Sequence, residues 1–474
     1  METKVSKSNW ISRFFGDKAF YKMVLAIAIP VMIQNGITQF VNLLDNIMVG
    51  RIGTEQMSGA AIVNQLIFIY NLCILGGLAG PGIFTAQYYG HKNLEGVRQT
   101  ARFKLWLGII LTAGTVLLFI FAGEPLISLY LQGEGSTESI AATLLYGKQY
   151  LMIMILGLPA YMIVQVYAST LRECGETLLP MKAGIAAILT NLVLNYILIY
   201  GKFGAPALGV EGAAIATVIS RYVEAAIVLG QTHRHTEVFP FIKGLYASLK
   251  VPVSLTKKII LKGTPLLVNE TLWGIGMASL SQSYSVRGLN VIAATNISST
   301  VQNIFNIVFL ALGSSIAIIV GQLLGAGKMD EAKDTNTKLT VFSILSSACV
   351  AVILFLLSPL FPEFYNTSAE VKELAIRFMR IFAVYMPIFA FLHATYFTLR
   401  SGGKTIITFL FDSGFLCLVN VPIAYFLSRH TALPVILIYM CVLMSDLIKV
   451  IFGGLLVKKG VWLQNLVDNE LNHL

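Results

Sequence analysis

Long stretches without a formal charge dominate this 474-residue sequence. Residues 23–44 contain no Asp, Glu, Lys or Arg, and eleven further stretches carry at most two charges. A helix needs about 20 residues to cross roughly 30 Å of hydrocarbon. Because lipid offers no partner for backbone polar groups, such segments must be helical. The other stretches are 56–91, 105–123, 149–171, 183–201, 212–229, 264–286, 288–327, 339–362, 381–399, 406–428 and 430–448.

The overall composition excludes soluble classes of protein. Only 12% of the residues are charged and 56% are hydrophobic, whereas a soluble domain has about 25% charged residues. A soluble globular enzyme, a disordered chain and a collagen-like fibre are therefore excluded. The five cysteines are scattered and show neither a metal-binding nor a disulfide spacing. The basic N-terminal segment has no cleavage site, so we expect no cleaved signal peptide.

The distribution of Lys and Arg predicts the orientation in the membrane. The side that holds the N-terminus and the even-numbered loops has 24 of these residues, and the opposite side has 8. Such a bias predicts that both termini are cytoplasmic in a multi-pass protein of the cell membrane. The formal net charge of +10 is then a topological signal, and nothing indicates a nucleic-acid partner.

The sequence contains an internal repeat of about half its length. Several residues recur in order at an offset of 235, and LRECGET near residue 171 recurs as LRSGGKT at an offset of 228. Six helices per repeat would give both halves the same orientation, with a site near the midplane where they meet. The pairs at the larger offset include Pro30 and Pro265, Gln87 and Gln322, and Gly90 and Gly325. The two longest charge-free runs contain the small-residue stretches 76–82 and 311–315, where bends are expected.

The spans and the repeat together predict two helical lobes with short flanking segments. The expected parts are a cytoplasmic segment 1–20, an N-lobe 21–230 with helices 1–6, a cytoplasmic inter-lobe loop 231–258, a C-lobe 259–457 with helices 7–12, and a cytoplasmic tail 458–474.

Two acidic residues without a basic residue three or four positions away, Glu270 and Asp412, lie inside predicted spans, and Asp45 directly follows the end of another. A carboxylate at the bilayer centre costs about 2.5–3.5 kcal/mol on insertion scales, so Asp45, Glu270 and Asp412 are functional candidates. The structural alternatives are an interfacial acid for Asp45 and a helix-locking hydrogen bond for the other two. Asn191 and Asn195 share one helix face because they are four residues apart.

Other charged and polar residues have simpler expected roles. Arg221 with Glu224, and Asp446 with Lys449, are spaced for local ion pairs on one helix. His233 is expected in a solvated turn of the inter-lobe loop. Enzyme signatures are lacking, since no GxxxxGK[ST], HExxH or GxSxG occurs. We therefore expect neither an enzyme nor an ATP-driven pump, and no bound cofactor.

Several of these stretches resemble the multidrug and toxic compound extrusion (MATE) family, within a superfamily that also includes lipid flippases. The resemblance covers about residues 20–455 and implies an all-α integral membrane protein. It also implies twelve transmembrane helices in two pseudo-symmetric six-helix lobes around a central cavity, acting as a monomer. The similar stretches are IPVMIQNGITQFVNLLDNIMVGRIGT, AQYYGHKNLEG, LRECGETLLP, LGVEGAAIATVISR, TPLLVNETLWGIG, GQLLGAGKMDEA and LRSGGKT.

The resemblance also implies roles for N-lobe residues. Asp45 matches the first-helix aspartate that binds the coupling proton or sodium ion, and Pro30 matches the proline at which that helix is thought to bend. Asn191 and Thr217 match an amide and a hydroxyl of the same network. Asn195 stands where some branches have a second aspartate, so this network has one negative charge fewer.

In the C-lobe, Glu270 matches the glutamate of the cation site of another branch. That branch has an aspartate where this sequence has Phe389, and Asp412, one helix later, is a candidate replacement. Either lobe could therefore hold the coupling ion, which could be H⁺ or Na⁺. A structural metal is not expected.

The expected substrate cavity is lined by aromatic and amide side chains. Aromatic rings can stack on flat organic cations, although lipid contact or core packing is the simpler role for each ring. The candidates are Gln34, Phe40, Tyr70, Asn269, Trp273, Tyr284, Phe389 and Tyr396.

These observations favour a secondary antiporter that exports organic, mainly cationic, compounds or drugs in exchange for Na⁺ or H⁺ by alternating access. The alternatives are a lipid-linked oligosaccharide flippase of the same superfamily and an exporter of one metabolite. A membrane-embedded enzyme or a receptor has no supporting motif. The sequence leaves the substrate, the ion and the coupling lobe open.

Overall fold

The computed structural model describes residues 10–50, 53–131 and 137–468, without the side chains of residues 10–11, 41–47 and 49–50. Every regular element in this part is helical. The first half contains α1 (Trp10–Phe14), α2 (Lys18–Gly50), α3 (Thr54–Gly90), α4 (Leu94–Leu129), α5 (Thr137–Ile155), α6 (Leu158–Glu173), α7 (Leu178–Tyr200) and α8 (Gly209–Arg234). The second half contains α9 (Val253–Ser285), α10 (Leu289–Gly325), α11 (Met329–Leu357), α12 (Ala369–Ser401), α13 (Thr405–Phe409), α14 (Val421–His430), α15 (Val435–Ser445) and α16 (Leu447–Lys458).

The helices account for the predicted membrane spans. In the described part, ten helical segments are long and apolar enough to cross a membrane, and α5 with α6 forms one further span bent by 47°. The remaining predicted span, 264–286, lies in α9, whose 33 residues include Pro265 and which is not among these segments. The prediction of an all-helical membrane protein is confirmed.

The two longest charge-free runs, 56–91 and 288–327, correspond to α3 and α10, one helix in each repeat. Each forms one uninterrupted 37-residue helix, α3 or α10, through the predicted bending stretch. Their most apolar windows are both 67% buried within the protein, against 17% for α4. Since side chains that face lipid stay exposed, α3 and α10 pack mainly against protein and α4 mainly faces lipid.

Local signals in the sequence mark several helix ends. The Asn93 side chain accepts a hydrogen bond from the Gly96 amide at 2.9 Å, which caps the start of α4. Gly201, with φ of 65°, follows the last residue of α7 in the left-handed conformation that ends many helices.

The chain forms two compact units. One consists of residues 1–32, 86–92 and 268–474, and the other of residues 33–85 and 93–267. In the first unit, an apolar core joins α10, α11, α12 and α15. A second core of that unit joins the start of α2 to α10, α11 and Trp462. The lobe boundaries expected from the sequence stay a prediction.

The ends of α3 and α10 contact each other reciprocally. A Cβ atom added to Gly90 would lie 1.9 Å from the Gln322 carbonyl oxygen, and one added to Gly325 would lie 1.9 Å from that of Gln87. These residues are the pairs that the 235-residue offset relates. A contact in which equivalent residues exchange places is the pattern that a two-fold axis produces.

In the second unit, the connection after α8 is bound to the start of α4. Arg102 donates to the carbonyls of Gly244 and Leu245, each at 2.8 Å, and Arg98 donates to that of Phe241 at 3.2 Å. His233 is exposed, as predicted, but it lies in the last turn of α8, which extends to Arg234, and not in a turn of the loop. The His233 ring stacks on Tyr246 and its Nε2 lies 3.0 Å from the Tyr167 hydroxyl.

Candidate functional site

The second half has a polar cluster on three helical segments. Directly after α13, the backbone widens into two π-helical turns, Leu410–Gly414 and Leu416–Asn420. Wide turns of this kind are frequent at functional sites. The first of them carries Asp412 and the fully buried Ser413, which face α9.

Asn269 on α9 is the hub of this cluster. Its side chain is 1% exposed, and its Nδ2 donates to Asp412 Oδ2 at 2.9 Å and to the Tyr396 hydroxyl at 3.4 Å. Its Oδ1 accepts a hydrogen bond from the Ser413 amide at 3.2 Å, and Ser413 Oγ donates to the Asn269 carbonyl at 2.6 Å. The Asn269 side chain therefore fixes the orientation of the Asp412 carboxylate.

Glu270 follows Asn269 on α9 and adds a second carboxylate to the cluster. The ionic groups that act on it are the Arg400 guanidinium and the Asp412 carboxylate. Arg400 also contacts the Tyr396 hydroxyl. With both carboxylates ionised, the two carboxylates and one guanidinium carry a formal net charge of −1. Because an uncompensated charge away from water is costly, the cluster favours binding of one further cation.

A second ionic group in the same unit is already balanced. Asp446 is 5% exposed and forms the predicted ion pair with Lys449, at 3.0 Å. Asn420 donates to the same carboxylate at 3.2 Å. The His393 ring packs against Phe309, with its Nδ1 3.0 Å from a backbone carbonyl of α12. The ion pair of Asp446 with Lys449 needs no additional ion.

Asn191, Asn195 and Thr217 are joined by hydrogen bonds, and their role in ion coupling stays a prediction. Asn195 Nδ2 donates to Asn191 Oδ1 at 3.1 Å, and Asn191 Nδ2 donates to Thr217 Oγ1 at 3.2 Å. The two asparagines thus share a face of α7, as predicted, and contact α8. The Asp45 side chain lies outside the described residues, and Pro30 lies inside the helix α2.

The first half also contains buried charged side chains that the sequence pattern does not indicate. Lys104 was counted with the loop residues, but its side chain is fully buried and forms an ion pair with Glu173. The expected pair of Arg221 and Glu224 is not among the ion pairs of the described residues. The Arg221 guanidinium instead lies 5.1 Å from the centre of the Tyr161 ring.

The expected cavity residues lie in different environments. Tyr284 and Phe389 pack in or against the apolar core of α10, α11 and α12, whereas Trp273 and Phe40 are exposed. Tyr70 donates to the Leu158 carbonyl at 3.2 Å, and Gln34 packs against Gly184. Asn269 and Tyr396 belong to the polar cluster described above. A shared substrate cavity for these residues stays a prediction.

The ligands available in the cluster suit a monovalent cation better than a transition metal. The described residues contain no group of three or more His, Cys, Asp or Glu side chains arranged for a metal ion. Carboxylate, amide and hydroxyl oxygens are ligands for hard cations, and a carboxylate can equally hold a proton.

The family comparison matches each half of the chain separately. The MatE family model matches residues 30–197 and again residues 265–426. The two matches begin at Pro30 and Pro265, the offset of 235 found within the sequence. The internal repeat is therefore confirmed.

Full-length relatives carry names that refer to drug resistance. A "Probable multidrug resistance protein NorM" of Thermotoga maritima is 26% identical over 418 residues, which is 86% of both chains. A "Probable multidrug resistance protein YoeA" of Bacillus subtilis is 23% identical over 441 residues, or 92% of both chains.

Solved structures have the same fold. A Vibrio cholerae MATE transporter, VcmN, superposes with a TM-score of 0.83 at 18% identity, over 96% of this chain and 99% of that one. An outward-facing multidrug resistance MATE family transporter gives 0.81 at 18% identity, over 95% and 98%.

Proposed function

Because the chain belongs to the MATE family of multi-pass membrane transporters, and not to a family of enzymes, we propose that it is an antiporter that exports organic cations and drugs. The coupling ion is Na⁺ or H⁺, and the coupling site is the cluster of Glu270, Asp412 and Asn269. The names of the relatives support the drug substrates.

The observation that carries this proposal is the charge of the cluster. Among the described residues, Arg400 is the cation that acts on Glu270, and it balances one of the two carboxylates. A proton or a sodium ion balances the other, and so does a cationic substrate. Binding of the ion and binding of the substrate therefore exclude each other, which is the condition that an exchanger needs.

The concentration gradient of the coupling ion supplies the driving force. Exchange of one Na⁺ or H⁺ for one singly charged organic cation moves no net charge, so the membrane potential acts equally on both. If the ion-bound cluster opens to one side and the substrate-bound protein to the other, entry of the ion down its concentration gradient drives export. Both termini are proposed to be cytoplasmic, on the basis of the Lys and Arg distribution.

Dye transport by the purified protein in proteoliposomes tests the proposal. A sodium gradient and a pH gradient are imposed separately, first with a cationic dye and then with an anionic dye of similar size. We expect one of the two gradients to drive accumulation of the cationic dye only. Liposomes without protein are the control, and dye transport that neither gradient changes would contradict ion coupling.

A further inference from the structure

Residues 461–467, which follow α16, pack back onto the protein. We call this segment the C-terminal strap. Trp462 and Val467, near its two ends, are each 1% exposed. Trp462 is part of the apolar core with Leu324 and Leu399. A Cβ atom at Gly402 would lie 1.9 Å from the Trp462 carbonyl oxygen, so the strap needs glycine there.

Gln87, near the end of α3, binds the strap with its whole amide group. Its side chain is fully buried. Its Nε2 donates to the carbonyls of Ser401 at 2.9 Å and Gln464 at 3.2 Å, and its Oε1 accepts from the Leu466 amide at 2.7 Å. One side chain of the first repeat thereby joins the strap to the end of α12.

The strap also reaches the end of α10. Asn465 Nδ2 donates to the carbonyl of Gly325, the last residue of α10, at 3.2 Å. His91, just after α3, has its Nδ1 3.1 Å from the same carbonyl oxygen. The carbonyl oxygen of Gly325 is therefore contacted both by the residue that follows α3 and by the strap.

The segment that follows α8 in the first repeat is bound by a different helix. The segment after α8 is bound by Arg98 and Arg102, both on α4 of its own repeat. The strap instead binds the end of α3, which belongs to the other repeat in sequence. The polar contacts of residues 464–466 are a few hydrogen bonds, each worth roughly a fivefold change in a population, so this part of the strap can release reversibly while Trp462 stays in the apolar core.

We propose that the C-terminal strap is a latch that fastens the end of α3 to the ends of α10 and α12, and that must detach before these ends separate during transport. This inference rests on the proposed function, because only a transporter needs that separation. It assigns a role in gating to a segment that contains no residue of the proposed ion site.

Chemical labelling of a cysteine beneath the strap tests whether the latch opens. In full-length protein with its five cysteines replaced by alanine, Ser401→Cys introduces a thiol at a position that is 3% exposed. We expect Asn465→Ala to increase its maleimide labelling rate about fivefold, through loss of the bond to Gly325. Gln464→Ala is the matched control, because only backbone atoms of Gln464 bind Gln87 or Trp462.

Reversible cross-linking tests whether opening is required. His91 and Asn465 reach the same carbonyl oxygen, so His91→Cys with Asn465→Cys can be joined by a short thiol-cleavable bis-thiosulfonate reagent. We expect the cross-linked protein to lose dye export and to recover it after reduction. Full export by the cross-linked protein would overturn the latch.

Failure of the latch is distinguishable from failure of the proposed function. Labelling at position 401 needs neither dye nor an ion gradient. If wild-type protein exports no dye, the antiporter assignment fails. Equal labelling rates in the Asn465→Ala and Gln464→Ala proteins would overturn the latch, whatever the export result.

Discussion

At the scale of single residues, the geometry of the polar cluster at Glu270 and Asp412 depends on a neutral side chain, that of Asn269. Asn269 does not supply charge, but it holds the Asp412 carboxylate through Nδ2 and the backbone of Ser413 through Oδ1. Because Glu270 is the next residue of α9, both carboxylates are positioned by one turn of helix. An amide that fixes a carboxylate lowers the cost of arranging the ligands when a cation binds.

We therefore expect Asn269→Ala to weaken coupling without abolishing it. Hydrogen bonds to charged groups contribute about 1.5–3 kcal/mol, so the half-saturating concentration of the coupling ion should rise about tenfold. The measurement is dye export as a function of ion concentration. Asn290→Ala is the control, since Asn290 makes the same bond to the exposed Glu370; an unchanged ion dependence for Asn269→Ala would contradict the assigned role.

The residue-level predictions succeeded where helix periodicity decides the contact. Asn191 and Asn195 are four residues apart, and their hydrogen bond confirms the shared face. The burial of Lys104 could not be predicted because a basic residue next to the end of a predicted span normally faces water, and its pairing with Glu173 depends on how α4 packs against α6. The position of Ser413 against Asn269 likewise depends on a contact between helices, which no local pattern encodes.

Lys104 gives a prediction about stability. Removal of one member of a buried ion pair leaves an uncompensated charge and costs about 3 kcal/mol. We expect Lys104→Met to lower the melting temperature of the purified protein in detergent by several degrees. Adding Glu173→Gln should recover part of the loss, and independent effects of the two substitutions would contradict a coupled pair.

At the scale of helices, the reciprocal contact of α3 and α10 restricts both repeats. Gly90 and Gly325 allow two helix ends to approach so closely that a side chain has no room. The repeat itself was readable from the recurring residues. The contact between equivalent glycines was not, because an offset along the chain does not say which elements touch.

Gly90→Ala tests this contact. The added methyl group would meet the Gln322 backbone, and overpacking of this kind costs about 1–3 kcal/mol. We expect a lower melting temperature in detergent. Gly114→Ala is the matched control, because a Cβ there meets nothing within 4 Å and alanine favours the helix. Equal melting temperatures for the two variants would show that the ends of α3 and α10 can move apart at little cost.

The π-helical turns show a limit of sequence-based prediction for whole elements. Residues 406–428 were predicted as one span, and Thr405–His430 does form one. The apolar pattern of that stretch fits an ordinary helix. The two wide turns around Asp412 and Leu416 arise where α9 packs against the segment, so the exact direction of the Asp412 side chain could not be read from spacing.

At the scale of the whole molecule, the charged residues fall into three groups with different roles. Most Lys and Arg residues mark one side of the membrane, and the described pairs Lys104–Glu173 and Asp446–Lys449 are internally balanced. The cluster at Glu270 retains a net negative charge. The helical membrane fold and the repeat followed from hydropathy and recurring residues, and the transporter class followed from the resemblance to a known family. The charge balance required the positions of side chains on three helical segments.

The central claim is that this cluster binds the coupling ion. It is tested most directly by dye transport under the effective gradient with Glu270→Gln, Asp412→Asn and, as the matched control, Glu373→Gln, whose carboxylate is 64% exposed. Each of the first two changes removes the net negative charge, so ion-driven export should be lost while the protein remains folded. The control should export like the wild type. Normal ion-driven export by both Glu270→Gln and Asp412→Asn would contradict the claim.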